Sequence, residues 1–265
     1  MNETFLGGAR VVIQEGMEIK TPQELDRMKQ AGKVVAHTLK ALRSAIKPGI
    51  ATADLDAVAR GEIARHGAIP SFLGYRGFPA AVCVSINEQI VHGIPGDRVV
   101  REGDLVSVDV GAIVDGFHGD AAITVGAGEI SEEAQRLIDA TRASLERGIE
   151  AAVVGARIGD ISFAVQTYGE AQGFSVVREY VGHGIGRRMH EEPSVPNYGK
   201  PGRGLQLREG MALAIEPMLN VGGWNTSLMS DGWTVVTRDG SLSAHFEHSI
   251  AITSEGPIVM TRLDE

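Results

Sequence analysis

Two aspartates, Asp109 and Asp120, flank the dipeptide Asp115-Gly116 in the segment Val106-Ser-Val-Asp109-Val-Gly-Ala-Ile-Val-Asp115-Gly116-Phe-His-Gly-Asp120. Asp-Gly suits a two-residue hairpin turn, which sets position 111 opposite position 120. Asp109 and Asp120 then share a face as diagonal neighbours, about 7–8 Å apart at the backbone, and both carboxylates can reach one ion. The hairpin alone fits two solvated acids equally well. The wider pattern favours burial: Asp109 interrupts the apolar stretch 105–110, Glu216 interrupts Met211-Ala-Leu-Ala-Ile-Glu-Pro-Met, and Glu247 stands just before Ile250-Ala-Ile. An isolated buried charge costs several kcal/mol. These stretches contain no Lys or Arg, so the compensating partners are metal ions or histidines. Four carboxylates carry a charge of about −4, which two divalent cations neutralise.

Histidines are available in Gly182-His183-Gly-Ile-Gly-Arg-Arg-Met189-His190-Glu-Glu-Pro, where small neighbours leave the rings accessible. A site rich in oxygen with one imidazole suits Mn, Fe, Co or Zn in a catalytic role better than a structural zinc, which prefers thiolates. Other chemistries lack their residues. There is no Gly-x-Ser-x-Gly elbow, no Gly-x-x-x-x-Gly-Lys-Ser/Thr phosphate loop and no His-Glu-x-x-His helix. Cys83 lies in an apolar strand-like stretch and reads as a packed thiol rather than a nucleophile.

The elements that must position these residues follow from pattern. Thr21-Pro-Gln-Glu is a capping box with proline at the first helical position, so a helix is expected from there to about Ile46, stopped by Lys47-Pro48-Gly49. A second helix is expected over 53–66, ending at Gly67. Strands are expected over 80–86 and, as a hairpin, over 104–125; helices follow from Ser131 to about 152 and over 160–171, before strand-like segments return. Two helices, strands, two helices, strands describes an α+β fold of two similar halves around a shared antiparallel sheet, although no sequence repeat is visible. Residues 193–204, rich in Pro and Gly, are expected to be a mobile surface loop.

Composition narrows the setting. With 265 residues, 43% hydrophobic and 22% charged, the chain has enough apolar material for a large core. A net charge of −9 disfavours DNA or any partner held through phosphates. The single cysteine excludes an internal disulfide and makes the cytoplasm the default compartment. No signal-peptide pattern opens the chain and no uncharged apolar run is long enough for a membrane span.

The sequence resembles the type I methionine aminopeptidases of the pita-bread fold family over nearly its whole length, from about Thr21 to Ile258. The resemblance rests on Ser85-Ile-Asn-Glu-Gln-Ile-Val-His92-Gly-Ile-Pro, Asp109 with His118-Gly-Asp120, Gly182-His183-Gly-Ile-Gly, His190-Glu-Glu-Pro, Ile215-Glu216-Pro-Met and Phe246-Glu247-His248. It implies a single catalytic domain over residues 21–265 behind an extension of residues 1–20. It further implies two divalent ions (Co, Mn, Fe or Zn) held by Asp109, Asp120, His183, Glu216 and Glu247, with Asp120 and Glu247 bridging. The implied reaction removes the initiator methionine from nascent polypeptides with a small second residue. A water or hydroxide between the ions attacks the scissile carbonyl, Glu216 shuttles the proton to the leaving amine, and His92 and His190 hydrogen-bond the peptide unit.

The implied methionine pocket is formed by Phe72, Tyr75, Phe78, Cys83, Met189 and Trp233, with His92 and His190 at the peptide. Soft and aromatic neighbours suit a thioether. Three positions depart from the family pattern: Phe72 stands where a small residue is common, Met189 where phenylalanine is common, and Gly111 where threonine is common.

Two alternatives share parts of this pattern. The prolidase and Xaa-Pro aminopeptidase branch uses the same ligands but adds an N-terminal domain, and only about 90 residues precede His92. A catalytically silent relative that binds peptides or the ribosome typically loses metal ligands, and all five are present. The short span from His190 to Glu216 favours type I over type II. A monomer is expected, transient ribosome contact through surface Lys and Arg stays open, and no cysteine pairs at zinc-finger spacing occur at the N-terminus.

Overall fold

Helix α1, Pro22–Ala45, begins where the capping box places it: the Thr21 hydroxyl accepts from the Glu24 N–H, and the Glu24 carboxylate accepts from the Thr21 N–H. Its buried residues include Met28, Ala31, Val35, Leu39 and Leu42, a helical spacing that turns one stripe inward. Gly32 is required on that stripe, because a Cβ there would lie 2.2 Å from the Met260 carbonyl oxygen. Helix α2, Thr52–Arg65, packs beside it.

Helices α3, Glu132–Glu150, and α4, Ile158–Ala171, repeat the arrangement in the second half. Ser131 caps α3 through its hydroxyl. α4 starts two residues before Asp160, because that side chain reaches back to the Arg157 N–H from the first turn instead of preceding the helix. This computed structural model describes residues 12–14 and 17–263, so most of the expected extension 1–20 lies outside it. Within the described part, Val12–Gln14 pairs with Met17–Glu18, and the Lys20 N–H bonds the Gly210 carbonyl.

A nine-stranded antiparallel sheet joins the halves. Its order is Glu191–Val195, Gly182–Gly184, Ala212–Ile215, Glu247–Thr253, Phe117–Gly126, Leu105–Val114 and Ile69–Pro70. Gly256–Val259 also pairs with Glu247–Thr253, and Cys83–Ile86 with Leu105–Val114. The long hairpin turns at Asp115 (φ 49) and Gly116 (φ 77) with Gly111 opposite Asp120, the register read from the sequence. The halves meet where Glu247 pairs with Ala122 and His248 with Ala121.

Alternation along these strands separates two faces. Val106, Val108, Val110 and Ala112 pack with Val35, Leu39, Leu42, Leu55 and Ile63 beneath α1 and α2. Leu213, Ile215, Ile250 and Ile252 do the same with α3 and α4. The opposite face, carrying Asp109, Glu247 and small residues such as Gly111 and Ala122, lines a cleft.

The segment 193–204 is a loop only from residue 196 onward. Its first three residues complete the edge strand Glu191–Val195. The remainder is tied to α4: the Gly199 N–H donates to Gln166, the Gly202 N–H to Asp160, and Arg157 to the Gly204 carbonyl. Pro and Gly content signalled irregular backbone, but not the side chains that hold it. Among the described residues, no helix is long and apolar enough to cross a membrane.

Candidate active site

Cys83, Asp109, Ala122 and Glu247 lie in register across four adjacent strands, so one row of the sheet carries two acids with a small residue between them. Asp120 follows on the next row, opposite Gly111. It is pinned by Ser249, whose hydroxyl accepts from the Asp120 N–H (3.0 Å) and donates to the Asp120 carbonyl (2.8 Å). His183 enters from the neighbouring strand beside Ala214. Glu216 follows the strand Ala212–Ile215, and the Asn197 amide donates to its carbonyl.

His183 Nε2 stands 3.9 Å from Asp120 Oδ2 and 3.6 Å from Glu216 Oε1. Its Nδ1 lies 2.9 Å from the Gly184 carbonyl. A carbonyl only accepts, so the ring proton sits on Nδ1 and the Nε2 lone pair faces the carboxylates, the tautomer a metal ligand needs.

The electrostatics disfavour uncompensated negative charge, so these acids take up either protons or bound cations. Burial pushes Asp109 up to about 7, and burial followed by the neighbouring carboxylates pushes Asp120 and Glu247 well above the carboxylate range. Glu216 is raised by burial and then by Asp109. Burial holds His183 down to about 3, so it offers no compensating positive charge. Asp109 Oδ1, Asp120 Oδ1 and Glu247 Oε1 are buried with no hydrogen-bond partner. Unpartnered buried acceptors are costly, and oxygen donors around one imidazole suit a divalent ion. Asp120, His183 and Glu247 each bring one donor atom within 4.8 Å of the others.

Beside the acids, a cavity of ≈ 140 Å³ brings together all thirteen residues singled out from the sequence, with Arg76 as an addition. Its apolar wall is Phe72, Phe78, Ala80, Cys83 and Met189, with Tyr75, Ile94 and Trp233 against it. Phe78 meets Phe72 and Trp233 edge to face, with ring centres 6.5 and 5.1 Å apart. Burial, then Asp109, Asp120 and Glu247, keep the Cys83 thiol protonated, in accord with a packing role.

His190 and His92 both line the cavity. Tyr75 Oη is 2.8 Å from His190 Nδ1, and the His190 ring centre lies 4.2 Å from that of His183. His92 has a left-handed backbone (φ 61), a conformation costing about 1–3 kcal/mol for a residue other than glycine. Burial holds His92 at about 4 and lowers His190, so both are neutral near pH 7.

A family model described as metallopeptidase family M24 matches residues 26–254. The chain belongs to metallopeptidase family M24. Among curated M24 relatives, it is 56% identical to a methionine aminopeptidase of Clostridium acetobutylicum, over 92% of this chain and 98% of that protein. It is 49% identical to methionine aminopeptidase 1 of Mycobacterium tuberculosis, over 97% of each. The crystal structure of the methionine aminopeptidase from Thermotoga maritima superposes with a TM-score of 0.92 at 48% identity, covering 93% of this chain and 100% of that one. The pita-bread architecture expected from the sequence is therefore the observed one. A prolidase from Pyrococcus furiosus shares the fold alone, at 21% identity, and this chain spans 66% of its length.

Two features near the cavity escaped the sequence reading. His245 is fully buried behind Glu216, with Nε2 unpartnered and 3.9 Å from Glu216 Oε2. Its one sequence signal was its nearness to Glu247, although the two residues lie on strands of different sheets. Arg76 lines the cavity with φ 50, between Gly74 (φ 81) and Gly77 (φ 90). The flanking glycines marked the turn but not which side chain it presents. A third feature connects two departures already noted. A Cβ on Gly111 would lie 2.7 Å from Ser71 Cβ and 3.1 Å from Phe72 Cε1, so the missing side chain at 111 makes room for Ser71 first and compensates the bulky Phe72 in part.

Proposed function

We propose that this chain removes the initiator methionine from polypeptides whose second residue is small, using two divalent ions (Mn, Fe, Co or Zn) held by Asp109, Asp120, His183, Glu216 and Glu247. The observation that carries the reading is the group of unpartnered, buried carboxylate oxygens near the neutral Nε2 of His183, in one cavity with an apolar, aromatic wall. Asp120 and Glu247, whose donor atoms come together with that of His183 at the joint between the halves, would contribute to holding both ions. When bound, the ions polarise the scissile carbonyl and supply a water nucleophile of lowered pKa.

The chain's own groups do the rest. Phe72, Tyr75, Phe78, Cys83, Met189 and Trp233 bury the methionine side chain, worth about 1.5–3 kcal/mol, and fix the first residue. His190 is held at Nδ1 by the Tyr75 hydroxyl, and in the tautomer where that hydroxyl donates, its Nε2 proton points to the peptide oxygen; His92, against Trp233, supports the substrate as well. Glu216, with one oxygen toward His183 and the other toward His245, holds the proton that passes to the leaving amine. A bulky second residue meets the histidines and the cup rim and displaces the carbonyl, and a shift of about 1 Å costs on the order of 10²-fold in rate.

In this reading residues 21–265 form one catalytic domain with 1–20 as an extension. The protein works as a cytoplasmic monomer on nascent chains, with any ribosome contact transient. The test is steady-state cleavage of Met-Ala-Ser, Met-Lys-Ser and Ala-Pro-Ser peptides by the metal-free protein reloaded with each ion in turn. Met-Ala-Ser should be cleaved far faster than the others. A preference for Ala-Pro-Ser moves the protein to the Xaa-Pro branch, and equal cleavage of Met-Ala-Ser and Met-Lys-Ser removes the rim argument.

A further inference from the structure

The helix pair α1–α2 carries a second group of metal-ligating side chains outside the cleft. His37 on α1, and Glu62 and His66 at the end of α2, each offer one donor atom, and the three donors lie within 4.8 Å of one another. Glu62 and His66 are four residues apart, so one helical turn aligns them, and His66 Nε2 lies 3.3 Å from Glu62 Oε1. The buried contacts of Val35 and Leu39 with Leu55, Ala59 and Ile63 hold the two helices together and bring His37 to that pair. The His37 and His66 rings stack 5.0 Å apart at 22°. All three side chains are partly or largely exposed, so an ion can enter from solvent.

We propose that His37, Glu62 and His66 bind one divalent transition-metal ion, with water completing its coordination, as a clamp between α1 and α2. Two imidazoles and a carboxylate match Zn²⁺, Ni²⁺ or Co²⁺ and disfavour Mg²⁺ and Ca²⁺, which take oxygen ligands. Arg65 is the built-in competitor: its Nε and Nη2 hold Glu62 at 3.0 and 2.5 Å, and Nη2 lies 3.4 Å from His66 Nε2. An ion taking Glu62 Oε1 and His66 Nε2 displaces Nη2 and leaves Nε on Oε2. The clamp is therefore weaker than the cleft, where Asp120, His183 and Glu247 are buried together and, among the described residues, no such competitor is bonded to them, and it fills last.

Zn²⁺ titrated into the metal-free protein, followed by calorimetry and by metal analysis after gel filtration, tests this. The wild-type chain should bind two ions tightly and a third more weakly. His37→Ala and His66→Gln should each lose only the third, while Arg65→Gln tightens it several-fold. Cleavage of Met-Ala-Ser at two equivalents should stay within about twofold of wild type in all three variants, because none touches the cleft. Should His37→Ala fail to fold, His66→Gln at the exposed helix end carries the same comparison. A wild-type chain that stops at two ions, or variants that keep the third with unchanged affinity, overturn the proposal.

Discussion

The two faces of the central sheet are built to opposite rules. On the helix side Val106, Val108, Val110, Leu213, Ile215 and Ile250 interlock with the four helices, and each buried side chain adds to stability. On the cleft side, only one residue away along the same strands, Asp109, Asp120 and Glu247 are buried with unpartnered oxygens, and small residues leave room rather than fill it. The first face makes the fold. The second draws stability from it to hold acids whose ionised forms bound cations would relieve. Substitutions on the two faces should therefore separate stability from catalysis.

The largest separation is expected at the metal ligands. Glu247→Ala or Asp109→Ala should abolish turnover and lower the bound metal, with little loss of stability in the metal-free protein; metal analysis beside peptide assays reads this. Full activity with two bound ions in Glu247→Ala would dissolve the contrast. Next, Ile250→Ala, on the helix side of the same strand, should cost about 2–5 kcal/mol in denaturant unfolding while kcat at low temperature stays near wild type. His190→Ala should reduce kcat by about 10²-fold with metal content intact, since it acts on developing charge rather than on an ion. Loss of metal in that variant would make His190 a ligand.

Smaller effects sharpen the boundary between the faces. Gly111→Thr should destabilise the chain by overpacking against Ser71 and Phe72, by about 1–3 kcal/mol. Adding Phe72→Cys should recover part of that loss, and Phe72→Cys alone should alter KM for methionyl peptides more than kcat. Strict additivity of the two substitutions in a double-mutant cycle would separate positions the structure joins. The smallest effect is in pH. Burial, then Arg262, hold His248 at about 3 against an ordinary 6.5. Between those values the unfolded chain binds the extra proton, so stability falls as pH drops from 6.5 toward 3, by up to about 1.4 kcal/mol per pH unit per group. His248→Asn should make that slope shallower by about one proton's worth.

Much of this architecture was readable in residues whose meaning is local. Asp115-Gly116 set the hairpin register, Thr21 and Glu24 set the start of α1, and an acid inside an apolar strand announced a buried charge. Joining Glu216 and Glu247 to Asp109 as one ligand set required the family motifs, because those strands meet only through long-range pairing. What stayed hidden depends on packing between distant segments. The Phe72–Gly111 compensation exists only because the strand Ile69–Pro70 leads Ser71 and Phe72 across the long hairpin. The tethering of residues 196–204 depends on Gln166 and Asp160 of α4, 33 and 42 positions from the residues they hold. His245 lacked any motif of its own, and its place behind Glu216 follows from the pairing of Ser243–His245 with Met218–Asn220.

The contrast between the faces is tested most directly by melting the wild-type chain and Asp120→Asn, each metal-free and each with two equivalents of Mn²⁺. Relief of buried charge predicts that Mn²⁺ raises the wild-type Tm by several degrees, that metal-free Asp120→Asn melts at or above the metal-free wild type, and that Mn²⁺ shifts the variant far less. A metal-free Asp120→Asn that melts well below the wild type would make the carboxylate part of the fold's own stability, and the account of the cleft as a site built for cations would fail.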